Sequence, residues 1–137
     1  MSERVETSSI DLVERKRKLI WGYGAIFSGM FMLWALANVA LSVLDANYED
    51  FARPVAIGAY GAIHYYLNGS FRTGKRWGWM GLIALYSLWV VVCALNLVYW
   101  TDNSGSFSAA ILYGLTSLGA LALLLSGDMK LTLSRSA

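Results

Sequence analysis

The chain has 137 residues, of which 57% are hydrophobic and only 15% are charged, and its formal net charge is +2. Such a composition leaves too little polar surface for a water-soluble domain of this size, so it indicates a membrane protein. The single cysteine, Cys93, excludes a disulfide bond within the chain.

Four stretches without charged residues predict four membrane-spanning helices. They cover residues 19–44, 54–71, 77–101 and 103–127. A span needs about 20 mostly apolar residues, so the second stretch, the shortest of the four, only just suffices. We therefore expect an all-α membrane protein whose transmembrane domain, residues 19–127, is a bundle of four antiparallel helices. The predicted spans are residues 19–44, 52–70, 77–100 and 106–126.

Residues 1–18 form a predicted cytoplasmic segment with a short juxtamembrane helix. Ser8 stands three residues before Asp11, the spacing of a helix-capping pair, and a basic run at residues 15–18 follows. Anionic lipid headgroups account for a basic run beside a membrane helix. A cleaved signal peptide is the alternative for the first span. Its apolar core would be only about 7–15 residues long, so a retained helix is expected.

Lysine and arginine residues near span ends tend to stay on the cytoplasmic side, and here they are distributed unevenly. Ten of the 11 lie before the first span, between the second and third, or after the fourth, while Arg53 is the exception. Asp45, Glu49, Asp50 and Asp102 lie on the opposite face. This pattern predicts a multi-pass protein of the plasma (inner) membrane with both termini in the cytoplasm, including the tail at residues 128–137.

Two asparagines occur at similar depth in the first and third spans. Asn38 lies seven residues before Asp45, and Asn96 lies six residues before Asp102. A hydrogen bond between two amides in the apolar layer is worth about 1 kcal/mol and fixes which helix faces meet. We therefore predict a helix clamp between Asn38 and Asn96, with a polar substrate site near the outer mouth as the alternative.

His64 lies within the second span, seven residues before Phe71. No second histidine, cysteine or carboxylate stands at helical spacing from it, so a haem or metal would require a partner subunit or a symmetric dimer. A structural histidine, hydrogen-bonded between helices or reaching the interface, is the competing interpretation. We predict neither a metal site nor a required cofactor.

Trp34 and Trp89 fall near the predicted bilayer midplane, away from the interfaces where tryptophan is usually found. Core packing explains them, and stacking on a bound quinone, pigment or lipid is the functional alternative. With His64 they are the candidate cofactor-binding residues. Tyr60 joins Asn38 and Asn96 as a candidate substrate residue.

The two halves of the chain show a faint internal repeat at a constant offset, which predicts two tandem helical hairpins. An axis along the membrane normal would relate them. Chance recurrence of Trp-Gly at helix starts is the alternative. The matching positions are Trp21-Gly22 with Trp77-Gly78, Phe51 with Phe107, and Gly58 with Gly114.

The predicted spans contain no Asp, Glu, Lys or Arg, which argues against a proton-coupled transporter or an ion pump. The sequence shows no phosphate-binding loop and no nucleophile with its base, so no catalytic residues are predicted. The basic residues adjoin the predicted spans, where lipid headgroups account for them, so no nucleic-acid partner is predicted. Stripes such as Gly24-x-x-x-Ser28 offer close-packing faces. We predict a non-enzymatic accessory or scaffold subunit of a larger membrane protein complex or a homo-oligomer, whose partners are the lipid bilayer and other membrane subunits or itself. The alternatives are a small dimeric channel or carrier for an apolar or weakly polar solute, and a redox-complex subunit binding haem, quinone or pigment.

Overall fold

The computed structural model of the chain describes residues 2–45, 51–99, 104–127 and 129. Within these residues the protein is entirely helical and contains no strand, as the sequence predicts. The four helices are α1 (Ser2–Leu44), α2 (Ala52–Arg72), α3 (Arg76–Tyr99) and α4 (Ser104–Leu124). Their bounds agree closely with the predicted spans, except at the start of α1.

Helix α1 differs from the prediction because it is one continuous helix of 43 residues, about 65 Å long. It begins at Ser2 and does not break between the expected juxtamembrane helix and the first span. The reason is local, since residues 2–21 contain neither glycine nor proline and are rich in arginine, lysine and glutamate, which favour helix. Glu14 and Lys18 also form an ion pair one turn apart, at 2.9 Å.

The helices pack in an antiparallel ring in chain order. Helices α1 and α2 have the most extensive contact, followed by α3 with α4 and α2 with α3, whereas α1 and α4 meet at few positions. Tyr23 bridges that last seam by donating a hydrogen bond of 2.8 Å to Thr116 Oγ1. Helices α1 and α3 therefore lie diagonally across the ring.

Glycines allow a close approach of the two helices within each hairpin. A Cβ at Gly58 would lie 3.1 Å from Ala35 Cβ, where α2 crosses α1, and a Cβ at Gly114 would lie 3.4 Å from Cys93 Cβ, where α4 crosses α3. Gly58 and Gly114 are equivalent positions in the internal repeat. The residues that they face, Ala35 and Cys93, are two positions away from being equivalent. The two hairpins thus cross at similar places, although this likeness does not extend to the Trp-Gly pairs.

The turn between α2 and α3 ends α2 with a glycine in the left-handed region. Gly74 has φ +82°, its N–H donates to the Phe71 carbonyl, and the Lys75 N–H donates to the Ser70 carbonyl. This is the Schellman arrangement, which satisfies the last carbonyls of a helix and requires a residue that tolerates positive φ. It brings the start of α3 against the end of α2 within three residues.

By length and composition, two helices are able to cross a membrane. They are α1 over Asp11–Leu44 and α3 over Arg76–Tyr99. The apolar part of α4, Ala110–Leu124, is shorter. Residues 46–50 and 100–103, between the helices, lie outside the described residues, as does the tail at 128–137 apart from Met129, whose side chain is fully buried.

Candidate functional site in the bundle interior

Aromatic side chains from all four helices meet in the centre of the ring. Helices α1, α2 and α3 each supply two of them three or four residues apart, so that the two share one face, and α4 supplies one. The members of this aromatic cluster are Phe27 and Phe31 on α1, Tyr60 and His64 on α2, Tyr86 and Trp89 on α3, and Tyr113 on α4.

His64 occupies one end of the aromatic cluster and is completely buried. Its ring centroid lies 5.4 Å from that of Phe27 and 5.1 Å from that of Tyr86, the latter edge to face. Such edge contacts are favourable for aromatic rings. The imidazole is therefore held between α1 and α3 rather than at the surface of the bundle.

Trp89 occupies the other end of the cluster. Its ring lies 5.0 Å from Phe31 at an angle of 84° and is stacked on Tyr60 at 5.4 Å, while Tyr60 is 5.6 Å from Phe31. Three helices thus contribute one ring each to a packed triangle. Of the residues predicted from sequence, the structure brings together His64, Tyr60 and Trp89.

The aromatic cluster contains several buried polar atoms without a hydrogen-bond partner among the described residues. They are Tyr60 Oη, both His64 ring nitrogens, Tyr86 Oη and Trp89 Nε1, with Ser117 Oγ on α4 as a further one. The Gly24 carbonyl faces the His64 imidazole, but it accepts a hydrogen bond of 2.7 Å from Ser28 Oγ. Native proteins pair most buried polar groups, so this concentration is unusual.

The chemistry of these groups is that of neutral recognition. Two hydroxyls, an imidazole and an indole offer donors and acceptors, and no member of the aromatic cluster is an acid, a lysine or an arginine. Within residues 2–45, 51–99, 104–127 and 129 no group of three His, Cys, Asp or Glu residues is placed to hold a metal ion. The aromatic cluster therefore presents hydrogen-bonding groups but no carboxylate, ammonium or guanidinium group to the interior of the bundle.

Trp34 does not join the aromatic cluster. Its side chain is 42% exposed, so the rest of the bundle covers it only in part. The spacing from Tyr23 to Trp34 is close to three full helical turns, and Trp34 therefore lies on the side of α1 that faces α4. Since α1 and α4 meet at few positions, this part of the seam leaves the indole uncovered.

Asn38 and Asn96 do not form the predicted clamp in this structure. Asn38 Nδ2 donates to the Trp34 carbonyl and Asn96 Nδ2 to the Val92 carbonyl, each at 2.8 Å and each within its own helix. The ring order places α1 and α3 on a diagonal, where large rings such as Phe31 and Trp89 meet but the shorter amide side chains do not. An amide in a helix can always reach the carbonyl four residues earlier, so it has a local partner when no helix faces it.

Asn68 makes the interhelical bond that sequence reasoning assigned elsewhere. Its side chain is 1% exposed, and Nδ2 on α2 donates to the Trp21 carbonyl on α1 at 2.9 Å. Gly24 makes room for it, since a Cβ there would lie 2.8 Å from the amide. The signal in the sequence was helical spacing, because Asn68 follows His64 by four residues and Gly61 by seven, which marks one face of α2.

The aromatic partners Phe27, Phe31, Tyr86 and Tyr113 were also missed, although their spacing was visible in the sequence. Comparison with known proteins supplies no further assignment, because the chain matches no protein-family model, no curated protein and no solved structure.

Proposed function

We propose that the chain is a four-span integral membrane protein with both termini in the cytoplasm, acting as a non-enzymatic subunit of a larger membrane assembly or of a homo-oligomer. The observation that carries the proposal is that polar side chains are buried and large apolar side chains are exposed, the reverse of the distribution in water-soluble proteins. Ser28, His64, Asn68 and Ser117 are enclosed with at most 1% exposure, while large apolar side chains are exposed on every helix. Water-soluble proteins rarely expose apolar surface so extensively.

The most apolar segments support a lipid environment in a second way. Only 17% of the most apolar window of α1, and the same share of that of α3, is buried inside the structure. The apolar core helix of a soluble domain is buried by its neighbours, whereas a membrane helix can leave these residues to lipid. Leu44 on α1 and Val98 on α3, exposed by 78% and 69%, illustrate the pattern.

The proposed orientation draws support from the clustering of basic residues at one end of the bundle. Arg72 stands over the Trp21 ring at 4.4 Å, and Arg17 stands 6.0 Å from the Phe71 ring. The amino-terminal basic run and the α2–α3 turn therefore share one end, which the positive-inside rule assigns to the cytoplasm.

The partner surface is assigned to the open part of the seam between α1 and α4. Trp34 lies there with 42% of its side chain exposed. Tryptophan is common at the centres of protein interfaces, where it buries a large apolar area. A helix from another membrane subunit or from a second copy of the chain would cover it.

The redox alternative is weakened by the position of His64. The side chain has no exposed surface and is packed by Phe27 and Tyr86. Two copies with intact bundles are unable to bring their His64 rings to one haem or metal, because each ring is enclosed by its own helices.

Insertion is tested first, by extracting native membranes with alkaline carbonate. A chain released into the supernatant would contradict the proposal at its base. The subunit role is tested with a photoreactive phenylalanine analogue at Trp34, and at Leu36 as the control. Leu36 is 65% exposed and lies about 160° further around α1 from Trp34.

We expect irradiation in native membranes to give a discrete protein adduct from position 34 and only lipid adducts from position 36. A mass of twice 15.1 kDa would identify a second copy, and any other mass a distinct subunit. Equal labelling at both positions, or lipid adducts alone, would rule out a partner on this face.

The unpartnered polar atoms of the aromatic cluster favour a second candidate, a carrier for a small uncharged solute. Tyr60→Phe and Trp89→Phe remove a hydroxyl and an indole N–H from the interior. Tyr65→Phe is the matched control, since Tyr65 is 60% exposed. Solute flux into proteoliposomes that falls in the first two variants and not in the control would support this role. Flux equal to that of protein-free vesicles would exclude it.

A further inference from the structure

A cleft opens at the basic end of the bundle, between α1 and the end of α2. Its volume is about 720 Å³, and it is lined by Glu14, Arg17, Lys18, Trp21 and Gly22 on α1 and by Arg72 on α2. Its position coincides with the predicted membrane surface, because the charged run ends at Lys18 and the first uncharged stretch begins at residue 19.

The charge of this cleft is positive and concentrated on two guanidinium groups. Lys18 is paired with Glu14 at 2.9 Å, and this hydrogen bond, the charge of Lys18 and the charge of Arg17 lower the pKa of the Glu14 carboxyl. Arg17 and Arg72 form no ion pair with any residue in the described part of the chain, and Arg17 Nε is buried without a hydrogen-bond partner there. A guanidinium fork matches the oxygens of a phosphate.

Trp21 fixes one of these groups in place. The Arg72 guanidinium lies 4.4 Å from the Trp21 ring centroid, a cation–π contact that leaves the edge of the guanidinium free to donate. The Arg17 guanidinium lies at the same end, 6.0 Å from the Phe71 ring. Two guanidinium groups, from α1 and α2, thus line one cleft, and each lies near an aromatic ring.

An apolar groove leads away from the cleft along the seam between α1 and α4. A second hollow of about 690 Å³ shares Lys18 and Gly22 with the cleft and continues to Tyr23 and Ile26. A third, of about 290 Å³, shares Tyr23 with the second and reaches Gly119 on α4. A Cβ at Gly22 or Gly119 would have no atom within 4 Å, so the glycines keep the groove wide.

We propose that this cleft binds the phosphodiester headgroup of an anionic phospholipid, with one acyl chain lying in the α1–α4 groove. Arg17 and Arg72 donate to the phosphate, and the groove beside Tyr23 and Gly119 receives the chain. Basic pockets between membrane helices on the cytoplasmic side bind anionic lipid headgroups in this way. The inference rests on the proposed membrane location, but not on the partner surface at Trp34.

Headgroup recognition is tested on the purified full chain in a neutral detergent. Lipid adducts are counted by native mass spectrometry during titration with phosphatidylglycerol, phosphatidylcholine or inorganic phosphate. We expect phosphatidylglycerol to bind at least tenfold more tightly than phosphatidylcholine. The double variant Arg17→Gln/Arg72→Gln should weaken phosphatidylglycerol binding by about 25-fold, the product of about fivefold for each cation lost. Arg76→Gln, at the same end but outside the cleft, removes one charge and is the matched control for Arg17→Gln alone, which should weaken binding about fivefold.

The groove is tested independently by Gly119→Leu, which places a side chain in the open space and leaves both arginines intact. It should weaken binding of a long-chain phosphatidylglycerol at least tenfold while a dibutyryl analogue is unaffected. This variant also keeps the proposal open to refutation should the double arginine variant not fold.

Three outcomes would overturn the proposal. They are equal binding of the two lipids, full competition by millimolar inorganic phosphate, and equal losses in Arg76→Gln and the double variant. The second would assign the cleft to free phosphate instead. Each leaves the carbonate-extraction result untouched, so a failed lipid site is distinguishable from a failed membrane assignment.

Discussion

Replacing Gly78 by alanine should destabilise the protein, whereas the same change at Gly22 should not. The two glycines follow Trp77 and Trp21, so they occupy equivalent positions in the sequence repeat. A Cβ at Gly78 would lie 2.6 Å from the backbone nitrogen of Phe71 and 2.8 Å from two atoms of Ser70, while one at Gly22 meets nothing within 4 Å. The obstructing atoms at Gly78 include backbone, so no rotamer change relieves the contact.

The expected size follows from these distances. Ordinary contact is about 3.5 Å, so α3 must move roughly 0.9 Å away from the end of α2 in Gly78→Ala. Overpacking of this kind costs about 1–3 kcal/mol. Alanine gains at most about 1 kcal/mol in helix propensity at either position, and less at Gly78 because it lies in the first turn of α3. The free energies of unfolding of the two variants should therefore differ by about 1–3 kcal/mol, with Gly22→Ala the more stable.

Cys93 provides the assay, because it is the sole cysteine and is 5% exposed. A dye that fluoresces on reaction with a thiol reports unfolding in lipid-free micelles as the temperature rises. Gly78→Ala should melt several degrees below Gly22→Ala, at about 4 °C for each kcal/mol. Equal melting temperatures would refute the close approach of α3 to the end of α2.

Three further variants test the contacts that hold the ring together, each by the same thiol assay. Asn68→Ala should lower the free energy of unfolding by about 1–2 kcal/mol, because it removes the hydrogen bond to α1 and leaves a cavity. Asn96→Ala should change it by less than about 0.5 kcal/mol, because the Asn96 amide bonds only within its own helix. A larger loss in Asn96→Ala than in Asn68→Ala would support the predicted clamp instead. Trp79→Phe removes the 2.8 Å hydrogen bond from the indole to the Leu124 carbonyl, the last of α4, and should lower the free energy of unfolding by about 1 kcal/mol. Trp77→Phe, at an exposed site, is the control and should have a smaller effect. Equal effects would contradict a role for the Trp79 hydrogen bond at the end of α4. Gly74→Ala should lower the free energy of unfolding by about 1–2 kcal/mol because φ is +82° there, and Gly74→Asn should lower it clearly less. An alanine variant as stable as the unmodified chain would mean that the turn adopts another conformation without cost.

The sequence predicted the number of helices and most of their bounds because charge and hydropathy act locally. A long uncharged stretch of this kind forms a helix whichever neighbouring helices it packs against. The start of α1 was predicted wrongly for an equally local reason. A capping pair at Ser8 and Asp11 permits a helix to begin there, but nothing between them and Ser2 prevents the helix from extending upstream.

The pairing of side chains was not predictable in the same way, because it depends on which helices are neighbours in the ring. Depth in the membrane suggested that Asn38 and Asn96 meet, yet equal depth says nothing about a diagonal position. Asn68 finds α1 because α2 adjoins it and Gly24 leaves space. The aromatic cluster was within reach of sequence reasoning, since Tyr60 and His64 share a helix face, but its convergence with α1, α3 and α4 required the ring order.

The ring order also has a consequence for how the chain is assembled during synthesis. Each helix has its main partner in a helix adjacent to it in the chain, and only the weak seam joins the first to the last. The ends of each packed pair are close in the chain, so little loop-closure entropy is lost at any step. Once α2 has left the ribosome, the partners of the Asn68 bond to α1 and of the contact at Gly58 are both available. The amino-terminal hairpin is thus able to reach its final packing before α4 emerges, and the second hairpin then folds against a finished template.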